Sequence, residues 1–312
     1  DFLKYGQMDR TVANETFELP SKYKIPMLIS SFFDHEDNYI KGYQDTNTPV
    51  FYSPENTARA LGSLYRYKQS KERAPRKDAA LPKIKKTAEE IILKALDNKQ
   101  KALDEYEAKQ LLACYGVPVT KEALAAKVED ALKAAKKIGY PVALKACSWK
   151  IMHKSGKGLI ALNVENETQL KKEFKNIQKN AGKKIPVLVQ EMLKGSREFL
   201  AGMTRFAGFG PGVVFGLGGV FTEVFKDTTM RLAPVTGADA LEMFEDINAR
   251  KLLDKFRGMP KVKLNNLSRI IQTVGNIALL HPEIAEIDLN PIIIDGAEPV
   301  VADALIVLEN KP

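Results

Sequence analysis

Lys145 is a charged residue inside an otherwise apolar segment. It lies near the end of residues 141–146 (PVALKA), a pattern that predicts a buried strand. A buried ammonium group is costly unless an anion pairs with it. Either a bound phosphate group or a structural carboxylate would meet this need, and the residues leave that choice open.

Glycines follow a second apolar segment. Gly216, Gly218 and Gly219 come directly after residues 213–215 (VVF). A backbone without side chains can approach phosphate groups closely. A glycine-rich turn can also be no more than a tight corner, so this segment alone is weak support for a phosphate site.

A carboxylate and an amide lie two residues apart near the C-terminus. Asp288 and Asn290 therefore share one face of a predicted strand, and Asp303 can lie nearby on the next strand of a hairpin. Such oxygen ligands, completed by phosphate groups, are what Mg²⁺ favours. A solvent-facing strand surface is the alternative interpretation.

Histidine is scarce, with three in the chain. His35 lies in an acidic turn and His281 precedes a proline, whereas His153 lies in a basic, glycine-containing segment, residues 149–158 (WKIMHKSGKG). A neutral imidazole can act as a phosphoryl nucleophile, and nearby lysines would stabilise the charge it acquires. A lone histidine in a loop is more often incidental.

Alternating helix and strand patterns surround these residues. Asp104 and Glu107 predict a capping box, and a second helix with Val128 and Ile138 on its apolar face ends at Gly139. The predicted strands are 141–146, 187–192, 197–203, 211–219, 285–294 and 299–307, the last two joined by a turn at 295–296.

The first 70 residues predict part of a parallel α/β sheet. Residues 25–33 (IPMLISSFF) and 48–52 (TPVFY) suit buried strands, and Ser53 and Pro54 are suited to begin a helix. Two strands cannot complete such a sheet. We therefore expect residues 1–70 to be the end of a larger domain.

Composition excludes several classes of protein. Residues 66–86 carry nine basic and two acidic side chains of a chain with net charge +8. Tyr67 is the only aromatic residue in this segment that could stack on a base, and the sequence has no helix-turn-helix, RNA-binding or zinc-finger motif. A solvated linker over residues 71–85 is therefore favoured over nucleic-acid binding. No apolar run could span a membrane. Two cysteines favour a reducing, cytoplasmic setting.

Seven motifs follow one another along the chain: LKA (144–146), HKS (153–155), VQEM (189–192), GSREF (195–199), FGLGG (215–219), EIDLNP (286–291) and ADA (302–304). In this order they resemble the nucleotide-binding half of the ADP-forming acyl-CoA synthetases, relatives of succinyl-CoA synthetase. The resemblance covers residues 86–312, and residues 20–70 resemble the end of the CoA-ligase domain that precedes this half.

The resemblance implies a fold and a reaction. The fold would be an ATP-grasp fold of two α+β subdomains, about 86–184 and 185–312, preceded by part of a flavodoxin-like parallel α/β domain. The reaction would be acid + CoA + ATP = acyl-CoA + ADP + phosphate, through a phosphohistidine. Mg²⁺ and ATP or ADP would be bound, and we expect an oligomer in the cytoplasm.

The resemblance also implies which residues contact the nucleotide. Lys145 would contact the phosphate groups beside the backbone of Gly218 and Gly219. Adenine and ribose would be held at a hinge formed by Gln190, Glu191 and Met192, with Glu198 nearby.

The resemblance implies that four further residues take part in metal binding and phosphoryl transfer. Asn290 and Asp303 would ligate Mg²⁺, and Asp288 would hold the incoming phosphohistidine. His153 matches the second histidine of the family, which relays the phosphoryl group from a first histidine in the CoA-ligase segment. That segment, which would also carry the CoA site, is the expected partner, so we expect this chain alone to bind ATP without CoA-dependent turnover.

Two positions depart from the family pattern. The family usually continues HKS with Asp-Val-Gly-Gly, where this chain has residues 156–159 (GKGL), and it usually has arginine where this chain has Leu305.

Two other functions stay open. One is a carboxylate–amine ligase acting through an acyl phosphate, and the other is a non-catalytic nucleotide-binding module. Acetate, 3-hydroxypropionate and 4-hydroxybutyrate are all candidate acids.

Overall fold

A computed structural model describes residues 10–33, 37–72, 81–151, 157–181, 185–219, 222–255 and 257–309. The chain divides into two compact units, Asp1–Arg76 and Lys77–Pro312. Within the described ranges, no helix is both long enough and apolar enough to cross a membrane.

The first unit has the predicted order of strand, helix, strand and helix, preceded by one more helix. Its two strands pair in parallel, with Ile29 opposite Val50. Both strands are shorter than predicted, and the last helix reaches into the predicted linker. The elements are α1 (Arg10–Tyr23), β1 (Ile29–Ser30), α2 (Asn38–Asp45), β2 (Val50–Phe51) and α3 (Pro54–Glu72).

The core of the first unit is small and aromatic. The rings of Phe17 and Tyr43 meet edge to face, with centroids 4.7 Å apart, and Tyr39 packs against both. The prediction of a buried strand over residues 25–33 is wrong for most of its length, because Phe32 is 90% exposed. Two short strands and three helices do not supply enough surface to cover this segment.

The second unit contains the remaining elements. The helices are α4 (Lys86–Asp97), α5 (Glu105–Cys114), α6 (Val128–Ile138), α7 (Glu167–Ala181), α8 (Thr222–Phe225), α9 (Gly237–Asp246), α10 (Leu264–Leu280) and a 3-10 helix (Asn248–Leu253). The strands are β3 (Ala102–Leu103), β4 (Glu122–Ala125), β5 (Val142–Ala146), β6 (Ile160–Val164), β7 (Val187–Glu191), β8 (Arg197–Phe206), β9 (Gly210–Leu217), β10 (Thr228–Leu232), β11 (Ile284–Asp295), β12 (Glu298–Val301) and β13 (Leu305–Leu308).

These strands form two sheets, each with its own core. The smaller sheet has the order β4-β7-β5-β6, and α6 and α7 pack on it. The larger has the order β10-β9-β8-β11-β13-β3, with β12 also paired to β11. Its core includes α10, whose residues Ile271 and Val274 are fully buried.

The boundary between the two halves of this unit differs from the predicted one at residues 184–185. The structure places α4, β3 and α5 with the larger sheet, since Leu103 pairs with Ile306 and Leu111 lies in that sheet's core. It places β7 in the smaller sheet, between β4 and β5. Residues 187–190 are buried on both faces, which requires a central strand.

The last predicted strand, 299–307, is broken in two. Residues 302–304 separate β12 from β13, and β11 shifts register at the same level, between Leu289 and Ile292. Pro291 has no N–H for the ladder, but its carbonyl accepts from the N–H of Ala302 at 3.0 Å. Asn290 therefore lies at the register shift of β11, and Asp303 lies at the break between β12 and β13. The prediction that Asp303 lies on a strand is wrong.

The predicted capping box at the start of α5 is confirmed. The Asp104 carboxylate accepts from the N–H of Glu107 at 2.9 Å, and the Glu107 carboxylate accepts from the N–H of Asp104 at 3.3 Å. This cap fixes the first turn of α5. Glu105 and Lys109 then fall on one face of the helix, four residues apart.

Candidate functional site

Lys145 is the centre of the candidate site. It is 6% exposed. Its ammonium donates to the Glu105 carboxylate at 2.6 Å and to the Ala302 carbonyl at 3.1 Å, and lies 3.5 Å from the Asp303 carboxylate. Structural carboxylates therefore hold the charge that the sequence left unexplained. Glu105 is almost fully buried, whereas the Asp303 side chain is 36% exposed, so the ammonium has a protein side and an open side.

The Lys145 ammonium stays charged despite its burial. Burial alone would lower its pKa, but the carboxylates of Glu105 and Asp303 outweigh burial and raise the pKa above its ordinary value. A fixed positive charge beside an opening is a suitable contact for a phosphate group.

A second buried lysine, which sequence reasoning missed, lies beside the first. Lys109 is 1% exposed, and its ammonium is surrounded by oxygen atoms from four parts of the unit. The acceptors are Glu105 at 2.9 Å, Thr120 at 3.2 Å, Glu122 at 2.6 Å, Gln190 at 3.3 Å and the Ala302 carbonyl at 3.1 Å. The sequence does carry a sign of this burial, because Glu105 and Lys109 share the apolar face of α5 with Ala108 and Leu112.

The Ala302 carbonyl joins the two lysines to the predicted hinge. It accepts from Lys109, from Lys145 and from the side-chain amide of Gln190 at 3.0 Å. Burial raises the pKa of the neighbouring Glu122 carboxyl, and the Lys109 ammonium partly opposes this rise. We refer to Glu105, Lys109, Glu122, Lys145, Gln190 and the Ala302 carbonyl together as the buried polar cluster.

The hinge residues face in different directions. Both polar atoms of the Gln190 side chain are bonded inside the buried polar cluster. The Glu191 carboxylate instead accepts from the N–H of Lys121 on the opposite side, at 2.7 Å. Met192 follows directly after β7 and is half-buried. Contacts of Gln190, Glu191 and Met192 with adenine and ribose stay a prediction, and the Gln190 side chain also supports the buried polar cluster.

The glycine-rich turn contacts two of the predicted site residues. The N–H of Gly219 donates to the side-chain oxygen of Asn290 at 2.9 Å, and the N–H of Gly218 donates to the backbone carbonyl of Glu198 at 3.0 Å. A Cβ at Gly219 would overlap the Glu198 carboxylate, and the residue has a φ of +68°. The positive φ favours glycine there, as it would in a tight corner, so close approach of this turn to phosphate groups stays a prediction.

Asp288 lies in β11, opposite Gly202 and Leu305. Burial raises its pKa to about 6, with further contributions from the carboxylates of Glu286 and Asp303. This concentration of negative charge favours a cation or a hydrogen-bond donor beside Asp288. Asp303 thus lies close to Lys145, and Asp288 lies near enough to Asp303 for the two carboxylates to repel each other.

His153 lies outside the described residues, within 152–156. The segment that contains it joins β5, which carries Lys145, to β6. Its predicted role therefore stays a prediction.

The donor set fits the predicted magnesium ion. Among the residues that the structure describes, no three or more His, Cys, Asp and Glu side chains are arranged to hold a metal ion. Asn290 and Asp303 supply one amide and one carboxylate, and burial, followed by the carboxylates of Glu286 and Asp303, raises the pKa of the neighbouring Asp288. Few protein ligands, completed by phosphate oxygens, are the usual arrangement for Mg²⁺.

Residues 94–308 match the family model described as an ATP-grasp domain. The chain is 41% identical over 227 residues to the beta subunit of ADP-forming acetate–CoA ligase I from Pyrococcus furiosus, covering 71% of this chain and 97% of that subunit. It is 36% identical over 290 residues to the ADP-forming 4-hydroxybutyrate–CoA ligase from Nitrosopumilus maritimus, covering 91% of this chain and 42% of that ligase.

A solved structure gives the same result. It is acetyl-coenzyme A synthetase 1 from Ca. Korarchaeum cryptofilum in complex with coenzyme A and Mg-AMPPCP, its phosphohistidine segment pointing towards the nucleotide-binding site. The TM-score is 0.64 at 38% identity, and the match covers 71% of this chain and all of that one. The chain thus spans a whole beta subunit but about two-fifths of the Nitrosopumilus ligase.

Replacing Asp288 with asparagine should stabilise the chain in a pH-dependent way. Because folding raises the pKa of Asp288 from 3.8 to about 6, ionisation destabilises the folded state as the pH rises through that interval. Asp288→Asn should therefore raise the free energy of unfolding by about 1–2 kcal/mol at pH 8 and by about half as much at pH 5. Urea denaturation at both pH values measures this.

Asp295→Asn is the matched control, because Asp295 lies on the same strand but is exposed. It should change the free energy of unfolding little at either pH. An Asp288→Asn effect that is destabilising at pH 8, or equal at the two pH values, would contradict the burial and charge argument.

Proposed function

The chain belongs to the ATP-grasp family, among the ADP-forming acyl-CoA synthetases, and we propose that it is the nucleotide-binding, phosphoryl-relay part of such an enzyme. Both the family and the ATP-grasp fold expected from the sequence are confirmed. The observation that carries the proposed function is the Lys145 ammonium, held on its buried side by Glu105 and facing the Asp303 carboxylate on its open side.

Nucleotide binding uses both sheets of the second unit. Lys145 contacts the phosphate groups from the smaller sheet, and the backbone of Gly218 and Gly219 approaches them from the larger one. Glu191 and Met192 face the adenine and ribose, with Glu198 beside the glycine-rich turn. The contact between Gly219 and Asn290 supports this arrangement, because it joins the turn to a metal ligand.

Asn290 and Asp303 would hold the magnesium ion, which would neutralise charge on the phosphate groups. The Lys145–Asp303 separation of 3.5 Å is the longest contact of that ammonium. Asp303 can therefore turn to the metal while Lys145 keeps its bonds to Glu105 and Ala302.

Phosphoryl transfer uses His153 and Asp288. An imidazole nitrogen of His153 forms a bond to the γ-phosphorus of ATP as the bond from that phosphorus to the ADP oxygen breaks, giving phosphohistidine and ADP. Asp288 accepts a hydrogen bond from the other ring nitrogen and holds the imidazole in line. The phosphohistidine then passes its phosphoryl group to the CoA-ligase segment.

The partner is the CoA-ligase segment, with its CoA site and first phosphohistidine. Two features support it: the partial coverage of the Nitrosopumilus ligase, and the exposed Phe32 of the first unit. The substrates are CoA, phosphate and a short carboxylic acid, since similar proteins act on acetate and 4-hydroxybutyrate. We expect an oligomer in the cytoplasm, where Cys114 and Cys147 stay reduced.

His153→Ala should abolish phosphorylation of the chain by ATP. The wild-type chain, incubated with Mg²⁺ and ATP labelled at the γ-phosphate, should take up label that is acid-labile and base-stable, approaching one phosphoryl group per chain. The variant should take up less than a hundredth of this and should still bind ATP within about three-fold, because the imidazole acts as the nucleophile and not as a binding group.

His35→Ala is the control, because His35 lies far from the nucleotide motifs in the sequence, and it should label normally. Equal labelling of wild type and His153→Ala would show that another residue is the nucleophile. ATP binding without any label would favour a nucleotide-binding module, and ATP turnover that requires an acid and an amine would favour a carboxylate–amine ligase.

Asn290→Ala and Asp303→Ala should each weaken Mg-ADP binding by about ten-fold or more, because each removes one of few protein ligands. Calorimetry with and without EDTA measures this. Removal of magnesium with EDTA should weaken ADP binding by the wild type, and the wild type and Asn290→Ala should then bind ADP with equal affinity. Asp295→Ala, an exposed carboxylate on the same strand, should bind like the wild type. Unchanged Mg-ADP affinity in both variants would refute the metal assignment.

A further inference from the structure

Two charged residues of α5 are buried without any role in the nucleotide contacts described above. Glu105 is 4% exposed and Lys109 is 1% exposed. Burying two charges is costly, and a helix packed against a sheet is served as well by apolar side chains at these positions. Their position beside Lys145 points to a task connected with that residue.

One carboxylate oxygen of Glu105 serves both ammonium groups. It lies 2.6 Å from the Lys145 nitrogen and 2.9 Å from the Lys109 nitrogen. Both ammonium groups also donate to the Ala302 carbonyl, each at 3.1 Å. Lys109 thus fixes the two acceptors that hold the buried side of Lys145.

We propose that Glu105 and Lys109 are a positioning pair for Lys145, in which Glu105 holds the Lys145 ammonium and Lys109 holds Glu105 and the Ala302 carbonyl. This inference rests on the proposed contact of Lys145 with nucleotide phosphates. An unrestrained lysine loses side-chain entropy when it is fixed in one conformation. The pair removes this loss from nucleotide binding, because the side chain is fixed beforehand.

The pair also sets the position of Lys145 relative to the metal ligand. Lys145 lies on the smaller sheet, whereas Asp303 lies between two strands of the larger one. The Lys109 ammonium contacts Glu122 and Gln190 of the smaller sheet, and the Ala302 carbonyl of the larger. It thereby joins the two sheets at the place where Lys145 must reach across.

A purely structural role for the pair predicts different behaviour from a positioning role. If Glu105 only stabilised the fold, its removal would weaken binding of every nucleoside, with or without phosphate groups. If it positions Lys145, the loss is confined to ligands with phosphate groups and disappears once Lys145 is already absent. A double-mutant cycle separates these outcomes.

Calorimetry on the 312-residue chain tests this with Mg-ADP and with adenosine. Glu105→Gln keeps the size of the side chain but removes its charge, and should weaken Mg-ADP binding at least ten-fold while changing adenosine binding less than three-fold. Lys145→Met should weaken Mg-ADP binding further, and adding Glu105→Gln to it should cause less than a three-fold additional loss. Lys109→Met should show the same selectivity with a smaller loss.

Glu107→Gln is the matched control, because this residue lies on the same helix, keeps its capping contact and does not touch Lys145. It should bind both ligands normally. Glu105→Asp keeps the charge on a shorter side chain, so it should show an intermediate loss selective for Mg-ADP, and it replaces Glu105→Gln should that variant fail to fold.

The positioning role would be overturned if the double variant lost affinity for Mg-ADP by the product of the two single-variant losses. Equal losses of affinity for Mg-ADP and for adenosine in Glu105→Gln would also overturn it. Failure of the wild-type chain to bind Mg-ADP at all would overturn the proposed function itself, which is a different result.

Discussion

A buried ammonium group must be surrounded by oxygen atoms, and this constraint organises the second unit. Lys145 and Lys109 both meet it through Glu105 and the Ala302 carbonyl. The acceptors come from α5, from the smaller sheet and from the break between β12 and β13. Because no single element could supply them, both sheets must be in place before either charge is stabilised.

Irregular backbone is what makes the larger sheet usable as one wall of the site. A regular hairpin would direct the carbonyl of Ala302 into its own ladder. The register shift beside Asn290 and the break at Asp303 instead free backbone and side-chain oxygens at one level of the sheet. The glycine-rich turn then approaches this level closely enough to bond Asn290.

Local patterns predicted local features well, whereas partners distant in sequence were not predictable. The capping box at Asp104 and the buried strand around Lys145 depend on neighbouring residues, and both are confirmed. Residues 302–304 leave the strand beside Pro291, whose carbonyl accepts from the N–H of Ala302, eleven residues further along the chain. The prediction that Asp303 lies on a strand was therefore wrong. Lys109 was missed because four of its five acceptors lie outside α5, one of them 193 residues away.

We infer that the buried polar cluster presents Lys145 to nucleotide phosphates. A crystal structure of the chain with Mg²⁺ and a non-hydrolysable ATP analogue would show whether it does. We predict a phosphate oxygen within hydrogen-bond distance of the Lys145 ammonium, with its bonds to Glu105 and Ala302 retained and Asp303 turned to the metal. A nucleotide bound away from Lys145, or a Lys145 released from Glu105 on binding, would contradict the claim.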